Sequence, residues 1–295
     1  MAVREEKWPV PIAVIMISLN EAHNMAAVLD NLKGWAQEVF LVDSYSADDT
    51  VDIALANGVH VVQRKFRGFG DQWNFALKSL PITAPWTMKL DPDERLTAEL
   101  KSSIEEAVAE GRADGFSLDR RLWFMGKALP VRQNILRVWK TGQCRFTDVA
   151  VNEHPIVEGR VLKVSGVMEH HDSPNLHHWY HKQNQYSSAE AARIVAKSGF
   201  AQTPALLGTP LQRRMWVKKW FDRVPFRFFG VFVYYYLFRG LWRAGWTGYA
   251  WSRLRSHVYM MRHFKAVEMD RLGQSSYTKV ASGTGAADSR VAQFD

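Results

Sequence analysis

Between residues 12 and 91 the chain alternates four times between a short apolar run and a helical pattern, a rhythm that restricts the fold more than any other feature of the sequence. Ile12 to Ser18 is continuously apolar and β-rich, as a parallel strand buried on both faces must be. Leu19-Asn20-Glu21 follows. A helix is then expected with Asn24 as its cap, Met25, Val28, Leu29 and Leu32 on one face, and Gly34 as its terminator. Val39 to Val42 reads as a second strand closing on Asp43. Thr50 to Ala56 reads as a short helix ended by Asn57-Gly58, and Val59 to Val62 as a third strand. After the basic loop Arg64 to Gly70, a helix from about Asp71 to Leu80 leads into a fourth strand that stops at Asp91. Such alternation predicts an α/β protein with a doubly wound, mostly parallel sheet and right-handed crossovers. Ligands in these sheets bind beyond the carboxyl ends of the strands.

Those ends are acidic. Glu21, Asp43 and the Asp91-Pro92-Asp93-Glu94 run fall at three of them. Pro92 pushes Asp91 toward extended backbone, where residues two apart share a side, so Asp91 and Asp93 are expected to face one spot. Two carboxylates there suit a hard divalent cation that also touches a diphosphate. A solvated turn or a helix cap accounts for each acidic residue singly, but less well for the set.

Beyond a helix at Thr97 to Glu110 the expected strands are shorter: Gly115 to Asp119, Ile135 to Lys140 and Val161 to Val167. The loops between them hold Gly126, Pro130, Asp148 and Glu153. A helix from about Asn175 to Lys197 carries His177, His178 and His181. With no cysteine partner beside them, their spacing does not make a zinc site.

Charge divides the chain. Leu211 to Lys265 holds 12 Lys+Arg and one acidic residue, Asp222, which leaves 26 Lys+Arg against 29 Asp+Glu elsewhere. The same segment carries Trp216, Trp220, Phe221, Trp242, Trp246 and Trp251. Its longest uncharged run, Phe228 to Phe238, has 11 residues, short of the ~20 that span a bilayer. Basic aromatic helices of this kind suit an anionic membrane surface, while an ordinary helical subdomain with a solvated basic face is the alternative. No nucleic-acid module is recognisable, so nucleic acid is not an expected partner. Cys144 is the only cysteine and the opening residues show no apolar signal core, which suits a reducing compartment.

Ser18-Leu19-Asn20-Glu21, Val42-Asp43-Ser44-Tyr45-Ser46-Ala47-Asp48-Asp49-Thr50, the helix start Gly70-Asp71-Gln72-Trp73-Asn74-Phe75-Ala76 and Asp91-Pro92-Asp93-Glu94 resemble, in order and spacing, the family 2 glycosyltransferases of GT-A fold. The branch they resemble is the lipopolysaccharide core β-1,4-glucosyltransferase-like subgroup. The likeness implies a Rossmann-like GT-A domain over 1–200, with a nucleotide-binding half at about 10–95 and an acceptor half at about 96–200. A basic amphipathic helical region would follow over 201–272 and a disordered tail over 273–295. By position it implies that Asn20 and Glu21 line the nucleotide pocket and that Asp43 accepts from a uracil ring. Arg67 and Asn74 would lie beside the base or diphosphate, Asp91 at the ribose and Asp93 on the metal. Asn20 and Asp43 read also as helix caps, and Arg67 as a solvated loop charge. Inverting transfer needs a carboxylate to deprotonate the acceptor, and Glu153 and Asp148 are the candidates. Where the branch commonly reads Val-His-Glu, this chain has Val151-Asn152-Glu153. His170 or His171 would add a metal ligand.

The expectation is therefore a Mg2+- or Mn2+-dependent inverting enzyme that moves a hexose, foremost glucose from UDP-glucose, to a lipid-linked saccharide in lipopolysaccharide core or exopolysaccharide synthesis. It would be cytoplasmic and peripheral on the inner membrane face. A polyprenyl-phosphate glycosyltransferase and a non-catalytic membrane adaptor retaining the fold are the alternatives. A sugar nucleotidyltransferase would want a Gly-rich first loop where Ser18-Leu19-Asn20-Glu21 stands.

Overall fold

The computed structural model describes residues 9–147, 154–196, 205–208, 212–213, 216 and 224–276. They fall into two compact units: residues 9–122 with 132–171, and residues 123–131 with the described part of 172–285.

The first unit is built on an eight-stranded sheet. Its strands are β1 (Val10–Ser18), β2 (Ala36–Asp43), β3 (His60–Gln63), β4 (Trp86–Lys89), β5 (Glu94–Leu96), β6 (Gly115–Phe124), β7 (Lys127–Lys140) and β10 (Val161–His170), in the order β3-β2-β1-β4-β7-β6-β10-β5. The short pair β8 (Cys144–Phe146) and β9 (Pro155–Val157) forms a separate antiparallel ladder. Strands β3, β2, β1 and β4 are parallel, as the alternation predicts, and β10 runs parallel to β6. β7 is antiparallel to β4, and β5 to β10.

The apolar run of β1 serves two cores. Ile12, Val14 and Met16 point into one, with α1 (Ala22–Leu32) and α4 (Ala98–Glu110). Ala13 and Ile15 point into the other, with Trp73 and Ala76 of α3 (Phe69–Ser79). Period-two alternation in a strand covered on both faces leaves no position for a polar residue. The helix α2 (Thr50–Ala56) has the bounds the sequence suggests.

Three local expectations change. Asn24 does not cap α1: the helix begins at Ala22, and Asn24 lies buried inside it, donating to the Glu21 carboxylate at 2.8 Å. The strands after residue 115 are long, because Met125 and Gly126, both at positive φ, close a two-residue turn that lets β6 and β7 continue as a hairpin. Pro130 fits inside β7 because β4 pairs only with Val138 to Lys140, so no β4 ladder bond is lost there. Finally, β10 reaches His170 through a register shift between Lys163 and Val167. Gly166 sits in that shift at φ 87°, where a Cβ would come within 2.5 Å of the Leu100 backbone nitrogen in α4.

In the second unit, α5 (Leu176–Val195) is capped by Asn175, whose side chain accepts from His178 N. Helix α6 (Arg227–Val233) runs on into a π turn (Tyr234–Phe238), followed by a 3-10 turn (Leu241–Ala244) and the long α7 (Trp246–Leu272). Helices α5 and α7 pack through Ala191, Ala266 and Met269, and Arg262 of α7 pairs with Glu190 of α5 at 2.9 Å. The terminal residues expected to be disordered lie, from 277 on, outside the described residues.

Gly166→Ala should destabilise the first unit by about 3 kcal/mol, since both its φ and the Leu100 backbone oppose a methyl group. Gly111→Ala, at the open C-cap of α4, should lose about 1 kcal/mol. Urea melts of the two variants check this; equal losses would contradict the close approach at Gly166.

Candidate active site

The rim at the carboxyl ends of β1 and β2 is stitched by side chains bonding to backbone. Asn20, at φ 57°, accepts from Ala47 N with Oδ1 (2.8 Å), while its own N–H donates to Ser46 Oγ (2.8 Å). Glu21 N donates to Thr50 Oγ1 and Ala22 N to Asp48 Oδ2. Asp43 holds this arrangement from below. It is fully buried; Oδ1 accepts from Ser18 Oγ and Ser46 Oγ, and Oδ2 from Ser46 N and Gln63 Nε2. Asp43 is thus an organiser of the two loops, and a base N–H reaching it would have to displace one of those four donors.

Of the residues expected near the diphosphate, Arg67 is exposed. Asn74 spends both ends of its amide on one backbone position, donating to Phe146 O (3.0 Å) and accepting from Phe146 N (2.8 Å). It anchors β8. Glu153 and Asp148 lie outside the described residues. Thr147 and His154 meet, with Thr147 N donating to His154 O and His154 N to Thr147 Oγ1. Beside Phe146, the ammonium of Lys89 lies 4.4 Å from the Trp73 ring centre and 5.3 Å from that of Phe146. Phe146 of β8 thus lies against the strand that leads to Asp91.

Asp91 and Asp93 do not share a side as extended residues would. Glu94 N donates to Asp91 O at 2.9 Å, so residues 91–94 form a β-turn with Pro92 in its second place, where a fixed φ favours turning over extension. The two aspartates accordingly have different partners. Asp91 Oδ2 accepts from Arg137 at 2.9 Å, and Asp93 Oδ2 lies 3.2 Å from His170 Nε2.

The turn is held from inside by charge. Arg137 of β7, itself buried, also donates to Glu94 Oε1 at 2.5 Å, and Arg120 of β6 stands 3.3 Å from the same oxygen. Glu94 Oε2 accepts from Asp91 N, while Arg95 donates to the carbonyls of Pro92, Glu94 and Asn24. Burial opposes the charge on Asp91, but the guanidinium of Arg137, with Lys89 and Arg120, outweighs it and holds the Asp91 carboxyl well below the usual carboxylate range. Burial pushes Glu94 up against the pull of Arg137, and the Asp91 carboxylate adds to the rise. Arg137 is the residue that motif reading missed. Its signal was a lone cation between Leu136 and Val138 in an apolar strand, which must find a buried anion.

His170 and Asp93 are brought together at one end of the antiparallel β5–β10 ladder, where the last residue of β10, His170, is paired in register with the first of β5, Glu94. Burial disfavours the His170 imidazolium, and the Asp93 carboxylate outweighs that, keeping its pKa above the ordinary value. The backbone N–H of His171 donates to Asp93 O. Among the described residues, Asp93, His170 and Asp172 offer ligand atoms within 4.8 Å of one another. Asp172 also pairs with Lys182 at 2.9 Å. Two carboxylates and one imidazole fit a divalent ion such as Mn2+ better than an all-oxygen Mg2+ shell. His178 and His181 of α5 instead meet Ser173 and Gln185.

Replacing Arg137 with Met should cost about 3–5 kcal/mol, because Glu94, with no exposed surface, would keep only Arg120 as a guanidinium partner. With its folded pKa raised further, Glu94 folds without penalty only while protonated. The deficit therefore grows as pH rises through that pKa and shrinks toward pH 5. Urea melts at pH 5 and pH 8 check this; a deficit under 1 kcal/mol, or one independent of pH, would contradict it.

The chain resembles known proteins over this same region. Residues 13–155 match the model of glycosyl transferase family 2. An uncharacterized glycosyltransferase of Rickettsia prowazekii is 26% identical over 200 residues, covering 62% of this chain and 68% of its own length. The lipopolysaccharide core biosynthesis glycosyltransferase LpsC of Rhizobium meliloti is 26% identical over 252 residues, 81% of this chain and 85% of that protein. Among solved structures, the mannosyltransferase PcManGT of Pyrobaculum calidifontis, in complex with GDP-Man and Mn2+, superposes with a TM-score of 0.50 at 15% identity, covering 89% of this chain and 88% of that one. S. aureus TarS is a longer protein, of which the chain spans 49%, with a TM-score of 0.42 and 16% identity. The sheet order and the superposition on PcManGT agree that the chain carries a GT-A fold, and its residues 13–155 carry the likeness to glycosyl transferase family 2.

Proposed function

We propose that the chain transfers a hexose, foremost glucose from UDP-glucose, to a lipid-linked saccharide with inversion at the anomeric carbon. The observation that carries this reading is the Asp93–His170 pair at the end of β4, joined by Asp172 as a third donor. A divalent ion held by these residues would offset the charge that gathers on the departing nucleoside diphosphate. The remaining work falls to the protein. Asn20 and Glu21 line the nucleotide's entrance, and Asp43 takes the uracil N–H in exchange for one of its present donors. Asp91, kept ionised by Arg137, accepts from the ribose hydroxyls. On the acceptor side Glu153 takes the proton of the attacking hydroxyl as its oxygen bonds to the anomeric carbon and the bond to the diphosphate breaks. Asp148 is the competing base.

The acceptor assignment is supported by the likeness to LpsC, a lipopolysaccharide core biosynthesis glycosyltransferase. Peripheral attachment at the inner membrane face goes with such an acceptor, and no helix among the described residues is long and apolar enough to cross a membrane.

Two variants test the reading. Asp93→Asn should abolish Mn2+-dependent UDP binding in calorimetry while the melting temperature stays near that of the parent; unchanged affinity would contradict the metal role. Glu153→Gln should lower transfer by about 10²–10⁴-fold with UDP affinity kept. Near-parental transfer would remove Glu153 from the mechanism, and product formed on polyprenyl phosphate but not on a saccharide would overturn the acceptor assignment.

A further inference from the structure

The helix formed by α6 and the π turn is apolar on both sides. Its inner side is covered: Phe228 meets His263 and Phe264, Phe232 meets Tyr249, and Tyr235 meets Trp251, all on α7. Ser256 of α7 donates to Phe228 O at 2.5 Å, which fixes the two helices together. The outer side is bare. Phe226, Phe229, Tyr234, Leu237 and Phe238 recur at helical spacing and are all exposed, Phe226 at 85% and Phe238 at 79%. Beyond the helix Trp242 and Trp246 continue the same character, Trp246 being 72% exposed. A helix in a water-soluble protein shows polar residues on its outer face, and a contiguous apolar face marks an interaction surface.

Charge decides the partner. From Arg223 to Val267 the sequence contains no aspartate or glutamate. Arg227 opens the helix, and Arg239 and Arg243, both exposed, follow its end beside Trp242. A second copy of this face would bring like charges together around the apolar patch, which disfavours self-association. A negatively charged lipid surface offers the complement: apolar depth for the rings and anionic headgroups for the arginines. From Arg227 to Phe238 the helix is roughly 18 Å long, against about 30 Å of hydrocarbon, so it fits the plane of an interface and not a span.

We propose that the outer face of residues 226–238, with Trp242 and Trp246, inserts among the headgroups of an anionic membrane leaflet and is the part of the protein that seats it there. This rests on the peripheral-membrane reading above and makes it specific: insertion by aromatic side chains, with arginines as the electrostatic flank, in place of a diffuse attraction of charge.

The test uses the full chain and vesicles of phosphatidylethanolamine with phosphatidylglycerol, against vesicles of phosphatidylcholine, in co-sedimentation. The parent should bind the anionic vesicles and remain partly bound in 0.5 M NaCl, because buried rings are not screened. The triple variant Phe226→Ser, Phe238→Ser, Trp246→Ser should keep its melting temperature and its UDP affinity, lose at least tenfold in vesicle affinity, and come off completely in salt. If the parent binds and the triple variant binds equally well, insertion at this face is overturned while peripheral attachment stands. If the parent binds neither vesicle, both fall. If the parent dimerises in sedimentation velocity and the triple variant does not, the face belongs to a second copy, which also overturns the proposal.

Discussion

Glu94 has no exposed surface and still carries a carboxyl group whose pKa is raised, and the site depends on the guanidinium that meets it. A buried carboxylate is strongly unfavourable unless paired and hydrogen-bonded. Arg137 satisfies it at 2.5 Å and in the same reach takes Asp91, so that one side chain on β7 grips both ends of a four-residue turn on the neighbouring segment. Arg95 takes the carbonyls, Asp91 N goes to Glu94, and Asp93 O accepts from His171 N. With the backbone held at each of these points, Asp93 is presented to His170 with little freedom left to lose on binding an ion. Preorganisation of this kind makes a carboxylate useful for binding developing charge.

The sheet gives that turn its place. β4 lies between β1 and β7, so the chain leaving β4 emerges beside the loops that follow β1 and β2. Asp43 fastens those loops from beneath, and Asn74 fastens β8 through Phe146. The acidic residues of the rim thus do different work. Some build the walls, whereas Asp93 faces His170.

Much of this is legible in the sequence, and the exceptions have physical causes. Ile12 to Ser18 announces its strand because burial on both faces demands an unbroken apolar run. Asn24 misleads because a cap residue and a buried amide look alike in sequence, and only the fold shows Glu21 beside it. Asp91-Pro92-Asp93 misleads because proline suits both extended chain and the second place of a turn, and here the Glu94 N–H to Asp91 O bond decides for the turn. Asn74 is placed beside the nucleotide only by the family resemblance, and the bond its amide makes to the Phe146 backbone, 72 residues away, is not legible in sequence. Arg137 was visible as a charge in an apolar strand, but its anions lie 43 and 46 residues earlier in sequence. For the late helices, composition shows aromatic and basic character but not which rings face α7 and which face out.

The central claim is that the turn after β4 presents Asp93 to His170 as a divalent-ion site. It is tested most directly by anomalous diffraction from crystals grown with Mn2+ and UDP. The account predicts a manganese peak at bonding distance from the Asp93 carboxylate and His170 Nε2, with a phosphate oxygen completing the shell. A peak elsewhere, or nucleotide bound in the rim with no manganese at these two residues, would contradict it.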